Sequence, residues 1–359
     1  MRHIGLFLEE LREGATDGAF FQELMETVDV AEAWGLDGIW LGEIHFLPSR
    51  SILCSPLVVA SAIAARTRRM CIGTAVHVIP LRNPLGVAED VATLDHLSQG
   101  RFEFGIGRSG SPRSYNVLGI PYEESQGRLL ESLEVMREAW KGERFSFHGK
   151  YYDFDNAIVR PRPLQEPHPP VRVAALNPAS FVRAAELGLH IFVGLRGTDI
   201  SILRGHIDTY QATWRAAGHR GEGSVYLRIP LYVAETDARA VEESRDSVIY
   251  YFRRQADLAR TGTGSGTTTT GERLAQADEL ATLSLEHILR ERVVIGSAAS
   301  LVKRLGELRD QLHLDGIIVE PNPGGRIPLA PMMRSLELLA KEVAPAVRSA
   351  STYQGRHLR

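Results

Sequence analysis

Apolar positions along the chain fall into two rhythms that alternate from end to end. Short runs rich in β-branched and aromatic residues, such as IGLFL, GIWL and GIIVE, read as buried strands. Between them lie longer stretches in which apolar residues recur every three or four positions, the period of an amphipathic helix. The pattern predicts strands over 4–8, 38–41, 71–76, 101–107, 171–175, 190–194, 226–234 and 316–320. It predicts helices over 20–34, 56–66, 87–97, 122–140, 179–187, 199–217, 237–260 and 329–343. Eight strands, each followed by a helix, spell an α/β chain folded as a (β/α)8 TIM barrel, whose chemistry gathers on the loops at the strand C-terminal ends.

Two segments break the alternation. The aromatic and then proline-rich stretch GERFSFHGKYYDFDNAIVRPRPLQEPHPPV predicts a small hairpin and an irregular connector before the fifth strand. Residues 261–285, with the run TGTGSGTTTTG at their start, offer little apolar surface to bury, so a flexible insertion or a substrate-ordered lid is expected there. No repeat beyond the β/α alternation is visible, and one domain over 1–359 is expected.

Composition narrows the partners. The 359 residues are 44% hydrophobic, and 41 basic against 44 acidic residues leave a formal net charge of −3. Nothing in that balance favours capture of nucleic acid or an anionic membrane, so a small-molecule substrate is expected. The N-terminal MRHIGLFLEE lacks a signal-peptide core, and the chain reads as cytoplasmic. Cys54 and Cys71 stand in apolar surroundings without metal spacing, and both read as buried free thiols.

Candidate chemistry lies at the predicted strand ends. In DGIWLGEIHFLPS, Glu43 and His45 follow the second strand and share a side if the extended conformation continues past Leu41. A carboxylate beside an imidazole tunes a general acid or base, and a structural hydrogen-bonded pair is the alternative. Thr74 and Ala75, at the end of the third strand, are small enough for a planar ring to lie against the backbone, or simply pack the interior. His77 lines the pocket or is a core histidine. Arg108 ends the fourth strand in GRFEFGIGRSGSP, offering a fork of donors to a phosphate or carboxylate. After the fifth strand, Asn177 starts a helix with Ser180 in its first turn, where amide groups and the helix dipole attract an anion; an ordinary N-cap is the alternative. GxGxxG opening a helix after the first strand, GxxxxGK[ST], HExxH and a correctly spaced GxSxG are all absent.

Several blocks resemble the bacterial luciferase-like monooxygenase family: IGTAVHVIPLRNPLGVAEDVATLDHLSQGRFEFGIGR above all, then AEAWGLDGIWLGEIHF, VRVAALNPASFVRAAELG and ERVVIGSAASLVKRLGELRDQLHLDGIIVE. The resemblance covers nearly the whole chain and is weakest over 262–284. It implies a barrel, usually a homodimer, that receives reduced FMN (FMNH2) from a separate NAD(P)H:flavin reductase. O2 is the co-substrate, one oxygen atom passing to a small organic molecule through a flavin hydroperoxide shielded from water. Glu43 then lies near the flavin, Thr74 and Ala75 pass under its ring, and Ala75–Val76 is the candidate for a non-prolyl cis peptide bond. By the same resemblance Arg108 meets the phosphate, joined by Leu176, Asn177 and Ser180, and Gly194 stands close to the ring. Luciferase-type members read Glu-His-His-Phe where this chain reads Glu43-Ile44-His45-Phe46. The catalytic histidine of those members is thus replaced by Ile44, an acid–base step falls to His45 or His77, and light emission is not implied. Leu176 replaces an acidic or hydroxyl residue, which leaves backbone donors, and the SR that often opens the next helix reads Ser125-Gln126 with Arg128 two positions on. The same fold also accepts a deazaflavin for hydride transfer, or a flavin held without turnover.

Overall fold

The computed structural model describes residues 1–109, 112–260 and 270–354. Twelve strands are present among them: β1 (His3–Leu8), β2 (Gly38–Leu41), β3 (Cys71–Thr74), β4 (His77–Val78), β5 (Phe102–Gly107), β6 (Phe145–His148), β7 (Asp153–Ala157), β8 (Val171–Ala174), β9 (His190–Gly194), β10 (Val225–Ala234), β11 (Val294–Ser297) and β12 (Gly316–Glu320). All pairings in the main sheet are parallel, and it closes on itself through β1–β12, β12–β10 and β10–β9, making the (β/α)8 barrel that the alternation predicts. β6 and β7 form the expected antiparallel hairpin.

Strand alternation divides the apolar residues between two cores. Ile4, Leu6, Ile39, Leu41 and Ile72 face the surrounding helices and join the main core. The intervening residues Phe7, Trp40, Ala75, Phe192, Tyr226 and Ile318 pack together inside the barrel. Trp40 fills its centre, and only glycine fits beside it: a Cβ on Gly73 would stand 2.1 Å from the indole ring. Below Trp40 the interior is polar but paired. Trp40 Nε1 donates to His3 Nε2 at 3.1 Å, and Arg172 bonds Glu103 at 2.7 Å while lying 3.6 Å over the Tyr226 ring. Burial in this layer, the largest influence, pushes the His3 pKa down to about 4. The N-terminal end of the barrel is therefore plugged, and only the opposite mouth is open for chemistry.

Four expectations are corrected. The third strand does not run unbroken over 71–76: it stops at Thr74, the Ala75–Val76 bond is cis, and pairing resumes at His77, whose partner is Ile106. The insertion expected to be flexible over 261–285 is helical at Thr270–Thr282; residues 261–269 lie outside the described part. The Gly/Thr run does not extend to LAQADELA, which is rich in helix formers and seats Leu280 beside Tyr251 and Phe252. β11 and the helix Ala298–Leu312 were not among the predicted elements; the ten-residue β10 is long enough to pair β12 along its first half and β11 along its second. Cys54 is exposed rather than buried, in the loop before the helix Pro56–Arg66, whereas the Cys71 thiol lies inside, 3.6 Å from a Glu103 oxygen. No helix among the described residues is long and apolar enough to cross a membrane.

Candidate active site

At the mouth, the chain leaving β2 turns Glu43 inward, and the strand break after Thr74 delivers two groups to it. The Val78 amide donates to Glu43 Oε2 at 2.8 Å, and His77 Nδ1 lies 2.5 Å from the same oxygen, though off the line of a hydrogen bond. His45 Nε2 bonds the other oxygen, Oε1, at 2.5 Å. Burial of the carboxylate strongly opposes its ionisation, yet the electrostatic pull of the adjacent His77 ring, the His45 and His77 contacts and the Val78 amide outweigh it and hold the Glu43 pKa down to about 2. Glu43 is thus a buried anion clasped by two imidazoles, and Arg82 stands 4.0 Å away. His77 Nε2 is sealed from solvent without a hydrogen-bond partner.

Glu43 and His45 line a cleft open to solvent, to whose mixed lining Ile44, Leu81 and Leu258 bring the apolar part. Ser109, Ser114 and Arg50 also reach it. Arg108 stands beside this cleft rather than in its wall. Its Nη1 donates to Ser125 Oγ at 3.3 Å and lies 3.5 Å from the Tyr122 hydroxyl, and the Tyr115 hydroxyl donates to its carbonyl oxygen. Ser125 is the first residue of the helix Ser125–Trp140, so Arg108 sits at that helix's positive end. Arg128, one turn further on, is held by Glu124 at 2.8 Å.

The register carries Arg108 level with Ala175, at the entrance to the loop that leads to Asn177. There the groups expected to bind an anion bond one another. Asn177 and Ser180 form a reciprocal capping box, and Ser180 Oγ accepts from the amides of both Leu176 and Asn177 at 3.0 Å. The ordinary N-cap is therefore present at this helix start, while the Leu176 side chain is exposed. Thr74 is fully buried and donates to the Gly105 carbonyl at 2.7 Å, so it can meet a ligand only through its backbone. Gly194 is open: a Cβ there would meet nothing closer than the Arg228 carbonyl at 3.5 Å. Sequence reasoning missed Tyr122 and Arg50. Arg50 stood in plain view, a cation five residues beyond His45, but no spacing rule marks it.

Residues 1–313 match the Luciferase-like monooxygenase family. The chain is 27% identical over 249 residues to the oxygenase component of the flavin-dependent trigonelline monooxygenase of Acinetobacter baylyi, covering 68% of each. It is 33% identical over 228 residues to the F420-dependent glucose-6-phosphate dehydrogenase of Kineococcus radiotolerans, covering 60% of this chain and 65% of that one. A 33% match to the y4wF protein of Sinorhizobium fredii spans about half of that relative, 54%. Among solved structures, the FMN complex of the oxygenating constituent of 3,6-diketocamphane monooxygenase from Pseudomonas putida superposes with a TM-score of 0.81 at 22% identity, covering 97% of this chain and 99% of the other.

Proposed function

Because this chain belongs to the luciferase-like monooxygenase family, we propose that it is a flavin-dependent monooxygenase that takes reduced FMN from a separate reductase and oxygenates a small organic molecule. One observation carries the reading: the clasped Glu43–His45–His77 cluster stands at the barrel mouth, where Gly194 ends β9 with open space in front of it. The open face of Gly194 and the unpartnered His77 Nε2 fit a planar ring that carries polar edges. Arg108 and Ser125 fit its phosphate, and Ala75, Val76 and Gly194 its ring. A bound reduced flavin supplies the electrons that reduce O2.

The remaining chemistry belongs to the protein. The hydrogen bond to Glu43 fixes neutral His45 with its proton on Nε2, leaving Nδ1 to take or return a proton at the cleft. Glu43, ionised across the working pH range, steadies the charged imidazole whenever His45 holds that proton. Ile44, Leu81 and Leu258 give the cleft apolar surface, which excludes water once a substrate fills it. The relative named as an oxygenase component supports a separate electron supplier.

A second reading, deazaflavin-dependent hydride transfer, is supported by the F420-dependent relative, which is more identical over a shorter part of the chain. Turnover of a metabolite extract under 18O2 separates the two. With reduced FMN, the first reading expects a product carrying one 18O atom, formed by the wild type and lost in His45→Ala. Product formed only with reduced F420, and without the label, overturns it.

A further inference from the structure

Arg50 and Glu9 form a partition between two cavities of the mouth. Arg50 lines the cleft that holds Glu43 and His45. Glu9 lines a second pocket, bounded by Phe7, Phe20, Leu24, Glu320 and Met332. Across the partition Arg50 Nη2 donates to Glu9 Oε1 at 2.5 Å. That one bond leaves most of the guanidinium unused. Its Nε is sealed from solvent without a partner, and among the described residues no hydrogen bond engages Nη1.

The surrounding charges do not supply the missing acceptor. Glu9 is shared, because Arg228 bears on it as well as Arg50. Glu10 gives one oxygen to Arg254 at 2.5 Å, while its other oxygen has no hydrogen-bond partner among the described residues, Arg50 included, and Glu320 holds Arg228 through both oxygens while also feeling Arg196. Arg50 thus keeps guanidinium N–H groups that no carboxylate takes up, and a buried cation without its full complement of acceptors favours an added anion. The cleft that Arg50 faces is also polarised along its length. Arg50 is cationic, whereas the Glu43 end is anionic, so an anionic group that enters has one favourable direction and one opposed by repulsion. Between the two ends, Ile44, Leu47, Val78 and Leu81 offer an apolar wall to the body of the molecule.

We propose that Arg50 anchors a carboxylate on the organic substrate, so that small organic acids are the substrate class of this cleft. The proposal rests on the oxygenase reading for what happens to the acid once bound, but not for the binding itself. Arg50 acts as a specificity-determining residue that holds the acid by its carboxylate and turns the rest of the molecule toward His45.

Calorimetric titration of the full chain with benzoate and with the uncharged isostere benzamide tests it. Charge-assisted bonds of this kind predict about a tenfold or greater preference for benzoate in the wild type. Arg50→Gln is expected to erase the preference while leaving benzamide within about twofold of wild type, and Arg50→Lys to keep part of it. Glu9→Gln, which removes the competing carboxylate, is expected to tighten benzoate severalfold and leave benzamide unchanged; a purely structural Arg50–Glu9 pair predicts no such gain. Equal affinity for the two probes in the wild type, a preference that survives Arg50→Gln, or failure of both probes to bind overturns the proposal. FMN titrated into the same proteins keeps the two ideas apart. A wild type that prefers benzoate but binds neither FMN nor F420 refutes the cofactor reading alone, and one that binds FMN without preferring benzoate refutes the Arg50 assignment alone.

Discussion

The two halves of the barrel mouth are built from strand ends in the same parallel register and are filled in opposite ways. On the side of β10, β12 and β1, the inward positions carry Arg228, Glu320 and Phe7. Arg228 bonds both Glu320 oxygens at 2.8 and 3.0 Å, its guanidinium lies 3.4 Å over the Phe7 ring, and Tyr251 adds a hydroxyl to Glu320 at 3.1 Å. On the side of β3, β5 and β9, the inward positions are Ala75, Gly107, against which Val76 packs, and Gly194, which faces open space; the charge sits to one side on Glu43. One half is held by an ion pair that neighbours satisfy almost completely, although a pocket opens beside it at Phe7 and Glu320. The other holds an anion whose histidines still have nitrogen to spare. A polar cluster that has used its hydrogen-bonding capacity maintains shape, whereas one with unused capacity beside empty space is where a ligand gains most.

The sharpest way to break this contrast is to damage the paired half. Burial opposes ionisation of Glu320, but Arg228 above all keeps its pKa below the ordinary carboxylate range. Arg228→Met leaves that carboxylate buried without its bidentate cation, Tyr251 still donating to it, and denaturant unfolding is expected to show a loss of about 3–5 kcal/mol. Adding Glu320→Leu is expected to recover much of it, because a buried pair exchanged whole for apolar groups costs little.

Acid treatment probes the open half. The Glu43 pKa falls from 4.5 to about 2 in the folded protein. The stability it contributes, of order 3 kcal/mol, is therefore complete above pH 4.5 and drains away as the pH falls toward 2. Urea unfolding followed between pH 6 and 3 is expected to show a shallower acid slope in Glu43→Gln than in the wild type. An unchanged slope means that the clasp around Glu43 does not hold in solution.

Smaller effects sharpen the same contrast. Arg108→Met is expected to weaken FMN binding about 10- to 100-fold while leaving riboflavin, which lacks the phosphate, unchanged in a fluorescence titration. Gly194→Ala is expected to leave unfolding within about 0.5 kcal/mol of wild type, since the added Cβ meets only a carbonyl at 3.5 Å, and yet to reduce FMN affinity. Gly73→Ala, set against Trp40 in the filled interior, is expected to destabilise by about 1–3 kcal/mol instead.

The barrel was legible because each strand carries its own signature, in short apolar runs such as GIWL and GIIVE that hold whatever their neighbours do. What escaped depends on partners distant in sequence. β11 is a strand only because β10 is long enough to offer it an edge, and Thr270–Thr282 is a helix because Leu280 finds Tyr251 and Phe252. The site divides in the same way. Glu43 and His45 could be paired from their spacing alone, and the expected cis bond at Ala75–Val76 is present. The arrival of the Val78 amide at Glu43, 35 residues away, with His77 beside it, follows from the break in the third strand, which the apolar run over 71–76 does not mark. Around Asn177 the residues were found, but their hydrogen bonds close on one another in a capping box.

The claim on which the rest depends is that a phosphorylated ring cofactor occupies the open half of the mouth. A crystal structure of the protein grown with FMN measures this most directly. The account predicts the ring against the Ala75–Val76 bond and Gly194, with the phosphate at Arg108 and Ser125. A ring lodged in the cavity beside Phe20 and Met332, or a phosphate remote from Arg108, would contradict it.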